Sequence, residues 1–124
     1  MSIKQNMYGY GAALTQSSAY VLGDYKRANE NNYWTLLHNL FDREISNENS
    51  AGMEVLRLPI TGSDFSVKNY FTYDDVNNDF SLKSESLSND PYTIPILQDI
   101  LKINPDLKIV ACPWTAPVSH WRLI

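Results

Sequence analysis

Asp64, Phe65, Trp114 and Arg57 combine residue type and position in a way that could serve recognition of a small polar ligand. Asp64 and Phe65 follow a Thr61-Gly62-Ser63 turn, and that turn follows the apolar run Val55 to Pro59. The run reads as a strand that stops at proline, which has no N–H for a ladder. Trp114 stands just past a second apolar run, within Ile109 to Pro117. In α/β folds, sites gather outside the carboxyl ends of strands. A carboxylate there can accept from two neighbouring hydroxyls. An indole adds an apolar face and one N–H. Together they imply sugar binding. Bland alternatives stand beside this: Asp64 as the cap of its own turn, Trp114 as a core plug, and Phe65 as readily core as pocket.

Other reactive types carry less. Asp74, Asp75, Asp79 and Glu85 sit on or near one polar loop and read as solvated acids. His38 lies on a helical stripe with no cysteine or acid at metal-ligand spacing, so neither metal nor cofactor is expected. Cys112 is expected to be a buried, inert thiol; a nucleophile needs a base, and His120 is only a sequence neighbour. Arg57, between Leu56 and Leu58, is costly in a strand unless paired. A buried arginine invites carboxylate partners, and if the chain stands alone an unmated charge that weakens it is expected.

The elements that must position these residues follow from pattern. Tyr8 to Leu14 carries two glycines that suit close backbone approach at a strand-to-helix junction. Ala19 to Leu22 forms a short helical turn stopped by Gly23, and Asn29 to Asn32 is polar. Tyr33 to Phe41 reads as a helix with Trp34, Leu37, Leu40 and Phe41 inward. Ser81 to Asp90 reads as surface loop, and Asp90-Pro91 opens a helix whose stripe runs from Ile96 to Ile103. Leu107 to Cys112 is the last strand. Strands alternating with helices predict a parallel sheet of βαβ units. Three strands leave edges and faces poorly covered, so the expected fold is α/β, an open and incomplete (β/α)8 barrel of about three βα units.

Composition narrows the class. A chain of 124 residues, 44% hydrophobic, is globular and of single-domain size. The net charge of −4 and scattered basic residues exclude a nucleic-acid stripe. No run reaches the roughly 18 apolar residues of a membrane span, and the N-terminus lacks a signal-peptide layout.

Gly9-Tyr10-Gly11-Ala12-Ala13-Leu14-Thr15 with Ser18-Ala19 resembles the opening motif of the glucosylceramidase-like enzymes, glycoside hydrolase family 30. Arg57-Leu58-Pro59, Ser63-Asp64-Phe65-Ser66, Tyr73-Asp74-Asp75, Asp79-Phe80, Ile94 to Leu97, Asn104-Pro105 and Pro113-Trp114-Thr115-Ala116-Pro117 continue the likeness in order. The resemblance runs from Gly9 to Pro117; Val118-Ser119-His120 before Trp121 departs from the family's spacing.

The resemblance implies a TIM barrel that hydrolyses β-glycosides with retention, with β-glucosides or glucosylceramide as substrate and endo-β-1,6-glucanase as the alternative activity. It also implies a lysosomal or secreted setting, with acidic lipid and a helper protein as partners. It assigns Asp64, Trp114 and Phe65 to the sugar and Arg57 to orienting catalytic glutamates. The family's Asn-Glu-Pro motif is absent here: Asn29-Glu30 and Asn47-Glu48 lack the proline. The chain is therefore expected to be the N-terminal part of the barrel domain, to lack the catalytic glutamates and to be inactive alone. A non-catalytic carbohydrate-binding chain is the alternative from another class.

Overall fold

The computed structural model describes residues 5–44, 48–68 and 70–117; the departure after Pro117 lies outside them. The elements run β1 (Gly11–Ala13), α1 (Gln16–Ala28), α2 (Glu30–Phe41), β2 (Val55–Ile60), a 3-10 turn (Leu87–Asn89), α3 (Thr93–Ile103) and β3 (Lys108–Pro113). The strands are parallel in the order β1-β2-β3, and the sheet is open. This is the arrangement of a partial (β/α)8 barrel. A β-carbon on Gly11 would collide with the Val55 carbonyl, so the expected close approach at the first glycine motif is real.

The first crossover differs from expectation. Gly23 does not stop a helix; α1 runs through it to Ala28. Asn29 is the true boundary and serves both sides. Its N–H closes α1 on the Tyr25 carbonyl at 2.9 Å. Its side chain accepts the Asn32 N–H at 3.0 Å and starts α2, three residues before Tyr33. A mid-helix glycine costs only about 1 kcal/mol, which the packing of Ala19 and Leu22 into the core outweighs. The inward stripe of α2 is also turned, so that Tyr33, Leu37 and Phe41 are buried while Trp34 and Leu40 lie half in.

Strand β2 does not end at Pro59 but continues to Ile60. The reason is parity. The carbonyl of Arg57 accepts the Leu14 N–H at 2.9 Å and Val55 donates to Tyr10, so odd positions bond toward β1. Glu54 and Ile60 accept from Lys108 and Trp114, so even positions bond toward β3. Pro59 has odd parity, and β1 has already ended at Ala13, opposite Arg57. Its missing N–H therefore removes no ladder bond. Parity also sorts the side chains: Leu56 and Leu58 join the helix-side core with Leu37, Phe41 and Ile100, and Arg57 turns to the opposite face.

Asp90-Pro91 does not open α3 as expected: the helix begins at Thr93 with Tyr92 at the cap position, and Asp90 holds the turn ahead of it by accepting the Tyr92 and Thr93 N–H groups at 3.3 and 3.2 Å. Pro95 is its third residue, where no intrahelical acceptor faces the N–H, so no kink is needed. Strand β3 lies one residue later than expected and is mostly exposed, and Leu107 belongs to the core.

One polar cluster ties the three helices. Asp99 of α3, 4% exposed, accepts from Lys26 of α1 at 2.6 Å, Lys102 at 2.7 Å and the Tyr33 hydroxyl of α2 at 2.9 Å. Lys26 also lies over the rings of Tyr33 and Trp34. Burial alone would push the Asp99 carboxyl up, but the bonds from Lys102, Lys26 and Tyr33 and the Lys26 charge hold it below the usual carboxylate range. Burial, and then the Asp99 carboxylate, push the Tyr33 phenol well up.

Asp99→Asn is expected to cost about 1.5–3 kcal/mol in urea unfolding, the scale of hydrogen bonds to a charged group. With its folded pKa depressed, Asp99 contributes fully above its unfolded value near ~3.9 and loses that contribution as pH falls through the folded value. Stability curves from pH 5 downward, as an approximate range, should therefore fall less steeply in Asp99→Asn. Equal slopes would contradict the assignment.

Candidate functional site

The loops after β2 and β3 meet at the carboxyl end of the sheet. Trp114 N–H donates to the Ile60 carbonyl at 3.1 Å, fixing the loop after β3 to the last residue of β2. The Thr61 hydroxyl accepts the Thr115 N–H at 3.0 Å and lies 2.7 Å from the Thr115 carbonyl. The Thr115 hydroxyl in turn donates to the Gly62 carbonyl. Tyr70 closes the far side by donating to Ala116 at 3.0 Å. Gly62 itself is packed against Phe71: a β-carbon would sit 3.1 Å from the Phe71 carbonyl and 3.3 Å from its ring.

Between the loops lies a cavity of about 270 Å³, lined by Asp64, Phe65, Ser66, Tyr70, Trp114 and Thr115 among others. That is just under the ~300 Å³ at which small-molecule pockets begin, room for one ring rather than a chain. Asp64 is the one carboxylate among its lining residues. The Asp64 carboxylate makes no hydrogen bond with any described residue. The turn is held instead by Ser66, whose hydroxyl accepts the Ser63 N–H at 2.9 Å and donates to the Ser63 carbonyl at 2.7 Å. The capping role goes to Ser66 and leaves Asp64 free.

Phe65 is 95% exposed with φ +60, which rules out a core role. A bulky residue in the left-handed region is strained, and such strain clusters at functional sites. The Ser17 hydroxyl at the start of α1 donates to the Phe65 carbonyl and steadies the turn. Trp114 is 46% exposed and is therefore not a core plug. Arg57 is half-buried, and its guanidinium carbon lies 4.8 Å from the centroid of the Trp114 ring. No carboxylate pairs with it among the described residues. The expectation of an unmated charge is thus met halfway: the acid is missing, but an aromatic face takes its place.

Asp74 corrects the reading of a solvated loop, whereas Asp75 and Glu85 are exposed as expected and Asp79 is partly so. Asp74 is 2% exposed; one oxygen accepts from Val76 at 3.4 Å and the other has no partner among the described residues. Asp75 accepts from the Thr72 N–H and hydroxyl and from Asn89. Asp79 gathers Ser81 and Ser84. These acids build the loop. Cys112 is half-buried, not buried, and points its thiol to the Pro113 carbonyl. His38 is exposed near Asp42.

Gln16 was not singled out from the sequence. It is buried at the start of α1 and spans two loop segments, donating to the Asn89 carbonyl at 3.3 Å and accepting the Val67 N–H at 3.1 Å. Thr61 and Thr115 were likewise unmarked beyond their place in turns and motifs, since a hydroxyl's partner on another strand has no local signature.

The family model of the Glycosyl hydrolase family 30 TIM-barrel domain matches residues 7–122. A Caenorhabditis elegans protein that bears the name glucosylceramidase 1 is 30% identical over 91% of this chain and 20% of its own length. The lysosomal acid glucosylceramidase of Mus musculus is 29% identical over 91% of this chain and 21% of its own. The solved endo-β1,6-glucanase BT3312 superposes with a TM-score of 0.74 and 34% identity over 91% of this chain and 23% of that one. The chain spans about a fifth of the length of the curated relatives it matches.

Thr61→Val, which keeps shape and removes the hydroxyl, should cost about 1–2 kcal/mol and leave the Thr115 N–H unpaired. Hydrogen exchange at the Thr115 amide should speed up at least several-fold, with amides of α2 unchanged. Unaltered exchange at Thr115 would show that the two loops are not joined there.

Proposed function

The chain belongs to glycosyl hydrolase family 30, and on that premise we propose that its strand-end pocket holds the terminal sugar of a β-glucoside. One observation carries this reading. Asp64, a carboxylate with no hydrogen bond to any described residue, shares a one-ring cavity with the half-exposed indole of Trp114. Asp64 accepts from two adjacent sugar hydroxyls, and charged acceptors make the stronger bonds. Trp114 covers the C–H face of the ring. Phe65 forms an apolar rim.

In this reading residues 1–124 are the N-terminal part of the barrel domain and supply substrate contacts. Retaining hydrolysis needs two carboxyls roughly 5–5.5 Å apart; the Asp64 cavity offers one, and with no Asn-Glu-Pro in the sequence this reading assigns the catalytic pair to a part of the barrel beyond these residues. The names of the relatives support glucosylceramide as substrate and a lysosomal setting. An acidic lipid surface and a helper protein would present so apolar an aglycone. Among the described residues no helix is long and apolar enough to cross a membrane. The 34% identity to an endo-β1,6-glucanase favours a second reading, in which the same pocket takes one glucosyl residue of a β-1,6-linked glucan.

Methyl β-glucoside should produce a saturable change in tryptophan emission of the chain. Trp114→Ala should abolish that change, and Asp64→Asn should weaken affinity about tenfold, the loss of charge on a hydrogen bond worth ~1.5 kcal/mol. A fluorogenic β-glucoside should not be hydrolysed by the 124-residue chain. Turnover by the pure chain, or a sugar response that survives both substitutions, would refute the assignment. Tighter binding of a β-1,6-linked disaccharide than of an alkyl β-glucoside would select the second reading.

A further inference from the structure

The position of Arg57 assigns it a task that the sugar pocket alone does not reveal. It pairs with Ala13 on one side and Val110 on the other, at the centre of β2, and points away from the helix-side core. It lines neither the cavity around Asp64 nor its neighbour of about 470 Å³ near Asp74. Trp114 lines both. The backbone around Trp114 is held by Ile60 and Thr61, but backbone bonds leave the ring free to turn about its own side-chain torsions. Among the described residues, its indole N–H has no hydrogen-bond partner and no other ring stacks on it. What sits over the ring is the Arg57 guanidinium, 4.8 Å from its centroid.

We infer that Arg57 is a positioning residue for Trp114: its guanidinium holds the indole as the wall between the two cavities and leaves the indole N–H free. A cation suits this role because the electron-rich face of an indole attracts positive charge, whether carried by arginine or lysine. The half-buried guanidinium also gains the partner that the strand denies it. The effect on ligands rests on the sugar-binding reading above; the coupling of cation to ring does not.

The test separates the two. In the 124-residue chain, the side-chain protons of Arg57 should show an upfield ring-current shift that disappears in Trp114→Leu. The contribution of Trp114 to near-ultraviolet circular dichroism, isolated by difference against Trp114→Phe, should collapse in Arg57→Met and largely survive in Arg57→Lys. Affinity for methyl β-glucoside should fall about 2- to 5-fold in Arg57→Met, with most of it restored in Arg57→Lys. A coupled Arg57 and Trp114 in a chain that binds no sugar leaves this inference standing and removes the sugar reading. An Arg57 without the ring-current shift overturns it, and so does a Trp114 signal equal in wild type and Arg57→Met. Because the proton shift is read in the wild-type chain, the result does not depend on whether Arg57→Met folds.

Discussion

The site depends on the parity of one strand. Once β2 is set between β1 and β3, every second residue is committed to one neighbour and one face. Leu56 and Leu58 close the helix-side core. Arg57 is sent to the other face, under Trp114. Pro59 falls where β1 has ended, and Ile60 offers its carbonyl to the first residue past β3. A slip of one residue would put a guanidinium among the helices and a proline where β3 needs a donor. The strand order then brings the two loops side by side, and Thr61 and Thr115 lock them.

This arrangement separates building from binding. The acids of the loop after β2 are mostly spent on its own backbone: Asp75 and Asp79 gather N–H and hydroxyl donors. Ser66 holds the tight turn and Gln16 pins the segment beyond it. Because these residues hold the loop, Asp64 need not contribute to it, and it lines the cavity with no hydrogen bond to a described residue. The strain at Phe65 is retained by the same bonds, since its turn is bound on both sides.

Sequence pattern alone revealed the three strands, the helix at Tyr33 to Phe41, the stripe of α3 and the two strand-end motifs, because each rests on local periodicity or on punctuation by glycine or proline. It missed what depends on a partner far along the chain. Gly23 looked like a stop because the packing that carries α1 past it is not local. Pro59 looked like a strand end because its harmlessness depends on where β1 stops. Asp74 looked solvated because its burial is decided by how the loop folds back. Arg57 looked unmated because an aromatic ring from the next strand is not adjacent in sequence. The family likeness brought Asp64 and Trp114 forward together, and the geometry adds why they share a cavity.

The most direct measurement is a heteronuclear NMR titration of the chain with methyl β-glucoside, following backbone amides and indole N–H groups. The account predicts saturable shifts confined to Gly62 to Ser66, Tyr70, Thr115 and the Trp114 indole, with helix amides such as those around Leu37 unmoved. Shifts that map instead to another part of the chain, or none at sugar concentrations that saturate a weak one-ring site, would contradict it.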